Sequence, residues 1–162
     1  MANWKKIGII SGIGAGVVGL ATYAHRLSKA SNDLQTVVKT NIHSLKADGL
    51  TIRIDVQIKN PSPLKFKIKY PFVLLKYKEA TVGTSKVINE TITIPKNGEV
   101  NVNGIMINLP LSNIFSVGFG LVKNLLQRKP SIITVTTQSQ VDLGWKKLAY
   151  EKSQDFTLKP KA

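Results

Sequence analysis

The sequence predicts a mainly β protein: a two-sheet antiparallel sandwich with one inserted amphipathic helix, led by an N-terminal hydrophobic helix. Three observations carry that reading. From Leu34 onward apolar residues recur with a period of two, the spacing that lines up side chains on one face of a strand. One stretch, after Pro110, switches to helical spacing. Residues 1–31 differ from the rest, with an apolar run between basic flanks and no acid before Asp33. Many short strands with one apolar face each must bury those faces against one another, and two packed sheets do so. The 162 residues thus divide into a hydrophobic helix, 1–31, and a sandwich, 32–160.

Trp4, Lys5 and Lys6 precede the apolar run Ile7 to Ala24, broken by Ser11 and Thr22; His25, Arg26 and Lys29 follow. As a helix this run spans about 27 Å, the short end of what crosses a bilayer. Trp4 and Tyr23 stand near its two ends, where interfacial aromatic residues belong. A membrane-inserted, transmembrane helix is the expectation. A signal peptide cleaved after Thr22-Tyr23-Ala24 and a helix buried in a protein assembly compete with it. Lys5 and Lys6 nearly balance Arg26 and Lys29, so orientation stays open. Gly8, Gly12 and Gly16, four apart, form a small-residue face of the glycine-zipper kind, which lets two membrane helices approach closely. That face predicts self-association. Gly14, Gly16 and Gly19 also spell a dinucleotide-binding turn, but no strand precedes them. Asp33, 19 residues after Gly14, follows no buried strand, so a nucleotide-binding enzyme is set aside.

The strands follow in order. Val37 to Leu45 is turned by Asp48-Gly49 into Leu50–Ile58, where Leu50, Ile52, Ile54, Val56 and Ile58 alternate with polar residues. Asn60-Pro61-Ser62-Pro63 then stops the ladder, because proline has no N–H to donate. Leu64 to Tyr70, interrupted by Pro71 and resumed from Val73 to Tyr77, reads as a further strand, followed by Thr81 to Ile88 and Thr91 to Ile94. Pro95-Lys96-Asn97-Gly98 has hairpin chemistry, with Gly98 able to take positive φ. Val100 to Leu109 alternates again. Leu111, Ile114, Phe115, Gly118, Leu121, Val122 and Leu125 then recur at i, i+3, i+4 and i+7, an amphipathic helix ending near Arg128-Lys129-Pro130. Ile132–Val141 and Trp145–Leu158 complete seven or eight short strands.

Nothing in this pattern carries catalysis. There is no cysteine, which removes disulfides, thiolate chemistry and Cys-based zinc sites. His25 and His43 stand alone, away from other ligand types, so no metal site is expected. The nine acidic residues are scattered through turns and polar strand faces, with no pairing for acid–base work. No G-x-S-x-G or phosphate-loop motif is present. The expectation is a non-enzymatic module without a cofactor.

Charge is the stronger signal. Lys and Arg total 23 against 9 Asp and Glu, a net +14, which favours anionic partners. From Asp33 on, 19 basic residues still face 9 acidic ones, so the charge belongs to the folded part. Lys65, Lys67 and Lys69 share a strand face, with Lys76 and Lys78 on the next strand. Such lysines keep sheet edges from pairing with other chains, or they meet anionic headgroups of membrane lipids. Nucleic acid is disfavoured, because no exposed aromatic pair is interleaved with the lysines for base stacking.

The stretch "IRIDVQIKNPSPLKFKIKYPFVLLKY", with "VGTSKV", Ile94-Pro95 and the leucine-rich helix after "INLPLSNI", resembles the type-2 late-embryogenesis-abundant family, the water-stress and hypersensitive-response domain. The resemblance covers residues 34–158. It implies an immunoglobulin- or fibronectin-like β-sandwich with a helix closing one end, often anchored by an N-terminal hydrophobic helix. It further implies stress protection or lipid contact, no enzyme activity, and structural roles for Asn60 and Pro61. Ser62 departs from the Asn often found there. The function expected is therefore a membrane-associated sandwich contacting lipid or protein at a bilayer surface. The alternative is a structural subunit of a larger assembly such as a phage virion, with the N-terminal helix buried among partners.

Overall fold

The computed structural model describes residues 22–26, 28–46, 49–110 and 118–159. Residues 22–26 and 28–32 are helical. Nine strands follow: β1 (Gln35–Lys46), β2 (Gly49–Asn60), β3 (Phe66–Lys69), β4 (Phe72–Tyr77), β5 (Ala80–Thr84), β6 (Thr91–Ile94), β7 (Gly98–Pro110), β8 (Ser131–Asp142) and β9 (Lys147–Leu158). A helix, Phe119–Leu126, lies between β7 and β8.

All pairings are antiparallel. One sheet runs β1-β2-β7, and the other runs β5-β4-β8-β3-β6 with β9 on the free side of β8. The second sheet has four long tracks, not six. β3 and β4 both pair with the same edge of β8, Ile68 opposite Val141 and Phe72 opposite Gln138. They are one strand broken at Tyr70-Pro71, because Pro71 has no N–H for the ladder. β5 and β6 likewise pair with β4 and β3, and residues 85–90 leave the ladder between them. These breaks explain why nine strands stand where seven or eight were expected, and why the strand read as Thr81–Ile88 ends at Thr84.

The core is the space between the sheets. Leu50, Ile52, Ile54, Val56 and Ile58 of β2 face Phe66, Ile68, Val73, Leu75, Ile133 and Val135, all buried. Alternation changes parity wherever the chain bulges. In β7, Val102 and Ile105 both point inward because Gly104 takes φ 76°; its N–H donates to Asp55 Oδ1 at 2.7 Å. The Phe119–Leu126 helix buries Leu121, Val122 and Leu125. The part of the helix read from Leu111 to Val117 lies outside the described residues.

One long side of the sandwich is closed by side chains. β1 and β9 are edge strands of different sheets. Gln154 of β9 bridges them, its amide Nε2 donating to Thr36 O at 2.7 Å and its Oε1 accepting from Val38 N–H at 3.3 Å. The Tyr150 hydroxyl joins Thr36 Oγ1 beside it. This seam satisfies β1 groups that would otherwise invite another strand.

Candidate functional site

The end of the sandwich beside the helical residues 22–26 and 28–32 gathers the turns β2–β3, β6–β7 and β8–β9. Its framework is Asn60. That residue is buried, and its Nδ2 donates to Leu64 O at 2.6 Å and Pro95 O at 2.9 Å. Its Oδ1 accepts from the Ser62 N–H at 3.0 Å and the Ser62 hydroxyl at 2.7 Å. Pro61 is exposed at the turn it starts. One amide thus fills the hydrogen-bonding needs of two turns that are 35 residues apart in sequence. The β6–β7 turn is tied back by Asn97 N–H donating to Ser62 O at 2.8 Å. Asn97, rather than Gly98, takes the left-handed position, at φ 46°. Asparagine tolerates it because its short polar side chain bonds locally.

Ala30 and Leu34 are buried in the core, so residues 28–34 are fastened to this end. Between them and the Asn60 turn lies an open groove of about 860 Å³, lined by Tyr23, Arg26, Lys29, Leu34, Leu64 and Lys152. Asp33 is the acid among its lining residues. Tyr23 also packs against Trp145 of the β8–β9 turn, ring centres 6.4 Å apart. Both rings are about half exposed, at 52% and 55%. Lys65 and Lys96 extend the basic surface on the far side of Tyr23. Cations with long apolar stems around exposed aromatic rings suit an interface that is wet on one side and apolar on the other.

The five lysines singled out in the sequence do not form one patch. Lys65 lies at this end, and Lys67 on the outer face opposite Asp142 in register. Lys69 donates to Asn89 Oδ1 at 2.9 Å. Lys76 lies further along the same face, and Lys78 is at the opposite end, its ammonium 5.5 Å from the centre of the Tyr77 ring. Trp4, Gly8, Gly12 and Gly16 lie outside the described residues, and no helix among the described residues is long and apolar enough to cross a membrane. Sequence reasoning missed Lys152 at the groove, and Lys96 and Trp145 beside it. Trp145 had a signal, being a large aromatic residue in a Gly-containing turn.

Chemistry elsewhere is sparse. Among the described residues no three His, Asp or Glu side chains converge as metal ligands. His43 is exposed on β1. Burial pushes the Tyr150 phenol above its ordinary pKa, opposed by the bond to Thr36. Tyr70 is raised by burial and then by the Glu90 carboxylate.

No family model matches the chain, and no curated protein does. Solved structures do match. A crystal structure of a protein from Archaeoglobus fulgidus aligns at TM-score 0.53 and 12% identity, covering 80% of this chain and 99% of that one. A protein of Arabidopsis thaliana solved in solution aligns at TM-score 0.57 and 12% identity, covering 80% and 83%. A looser match, at TM-score 0.44 and 17% identity over 96% and 87%, is to a protein proposed to be late-embryogenesis-abundant. At 12% identity the first two share a fold with this chain, and the likeness extends to the fold alone.

Proposed function

We propose that the chain is a non-enzymatic β-sandwich of the type-2 late-embryogenesis-abundant kind, held at a bilayer surface by its N-terminal hydrophobic segment. The groove end contacts anionic headgroups. One observation carries the reading: the Tyr23–Trp145 pair and the cations Arg26, Lys29, Lys65 and Lys96 share the end to which the apolar run Ile7–Ala24 leads. That is the composition expected at headgroup depth. Gly8, Gly12 and Gly16 supply the face through which two such segments pair, and Asn60 holds the turns that present the lysines. Stress protection follows from the family resemblance and rests on it.

Flotation with phosphatidylserine-containing vesicles tests the reading. The full chain is expected to float, and R26Q/K29Q to float with affinity lower by about 2 kcal/mol, roughly 30-fold, at one kcal/mol per surface cation. A full chain that stays at the bottom of the gradient at low salt overturns it. Recovery instead as a discrete particle without detergent would favour the assembly-subunit alternative.

A further inference from the structure

The opposite end of the sandwich presents a surface that the groove end does not explain. The Phe119–Leu126 helix buries Leu121, Val122 and Leu125, yet its outward face is not polar. Phe119, Lys123 and Leu126 recur there at i, i+4 and i+7, and Phe119 and Leu126 are 53% and 66% exposed. Ile132, just inside β8, is 63% exposed. Exposed at the same end are Lys78, Lys123, Arg128, Lys129 and Lys159. Glu79 is the acidic residue among the described residues of the turns and helix at this end.

The backbone here carries strain that places charge. Arg128 sits at φ 55°. Its N–H donates to Leu125 O at 3.1 Å, and the Lys129 N–H donates to Asn124 O at 2.7 Å, the paired bonds that close a helix over a left-handed residue. Glycine fits that position without steric cost, whereas a side chain such as arginine's costs about 1 kcal/mol. Arginine there sets two cations directly beyond Leu126. Solvation and the helix dipole account for exposed cations at a helix C-terminus, but not for Leu126 and Ile132 standing in water beside them. Apolar side chains ringed by cations are the composition that enters the headgroup region of an anionic leaflet.

We infer that this end is a second lipid-contacting surface, which docks onto an anionic bilayer. β8 runs from this end to the other in 12 residues, about 40 Å at the rise of a strand. A chain anchored at its N-terminal end, a condition that rests on the function proposed above, therefore spans that gap and bridges two membranes.

The test isolates this end. The full chain, in zwitterionic nanodiscs, is fixed to a surface through a biotin at its amino terminus, and dye-filled vesicles are passed over it. Phosphatidylserine vesicles are expected to be captured and phosphatidylcholine vesicles to pass. K123Q/R128Q/K129Q is expected to lower capture about tenfold or more, and L126S/I132S to lower it as well. Arg128→Gly guards against a folding artefact, because it is expected to lower capture while making the fold more stable. The inference is overturned if wild type captures nothing, if both lipids are captured alike, or if the variants capture like wild type. Loss of capture in R26Q/K29Q alone assigns the binding to the groove end. That result overturns this inference and leaves the proposed function standing, whereas flotation unchanged in R26Q/K29Q but lost, together with capture, in K123Q/R128Q/K129Q does the reverse.

Discussion

At the groove end the left-handed backbone positions are held by Asn97 and Gly144; at the helix end such positions are held by Lys78, Glu79 and Arg128. The first two are residue types that adopt this conformation readily, and the others are not. The β4–β5 hairpin shows the contrast sharply. Lys78 and Glu79 are its two central residues, at φ 48° and 66°, where a two-residue hairpin favours Asn-Gly. The groove end also concentrates its polar atoms on one buried amide, that of Asn60. Residues at the groove end relieve the backbone, and those at the helix end load it with charge. Strain that persists in a fold marks positions where something other than stability chose the residue.

The largest expected effect is at the groove end. Asn60→Ala removes the donor to Pro95 O, one of the two donors to Leu64 O and the acceptor of the Ser62 N–H and hydroxyl, and the loss expected in urea unfolding is about 3 kcal/mol. A loss below about 1 kcal/mol would break the comparison by showing that no single residue holds that end. Next comes a position at the helix end where glycine is retained. A Cβ on Gly49 would run into the carbonyl oxygen of Leu109, its neighbour across the β2–β7 ladder. Gly49→Ala is expected to cost about 2 kcal/mol. Glycine thus stands at that end where backbone approaches backbone, and not where it would only relieve φ.

Smaller changes sharpen the contrast. Arg128→Gly, and separately K78N/E79G, are each expected to raise stability by about 1 kcal/mol. Asn97→Gly is expected to change it by less than about 0.5 kcal/mol. Equal responses at the two ends, read from thermal unfolding, would remove the distinction. The smallest effect is at the β1–β9 seam. The Tyr150 phenol is raised above 10.0 in the folded chain. It is neutral in both states at lower pH, so its stabilisation is complete below the unfolded pKa. As pH climbs past 10 the unfolded chain ionises first and that contribution fades until the folded phenol ionises too. The stability difference between wild type and Tyr150→Phe should therefore shrink above pH 10, and a constant difference would place the phenol's contribution elsewhere than in its burial.

Much of the fold was legible because period-two alternation is a local property. β2 could be drawn residue by residue from Leu50 to Ile58, and the helix segment from its i, i+3, i+4 spacing. The prolines of Asn60-Pro61-Ser62-Pro63 announced the end of β2 for a similarly local reason. What could not be read were the parity changes. The bulge at Gly104 depends on which strand lies alongside, and residues 85–88 look like a strand until their partner is known; the break at Pro71 was legible, because proline has no N–H for the ladder.

The candidate surfaces were legible only as inventory. The sequence by itself determined that this chain is basic beyond its leading segment, mainly β, and without cysteine, because those are sums and periods over neighbouring residues. Tertiary structure alone decided which cations meet. It separated Lys65 from Lys78 by the length of a sheet track, put Trp145 against Tyr23, and brought Pro95 to Asn60. Each of these pairings joins residues through strand register and sheet packing, which the rest of the chain sets together and no local pattern encodes.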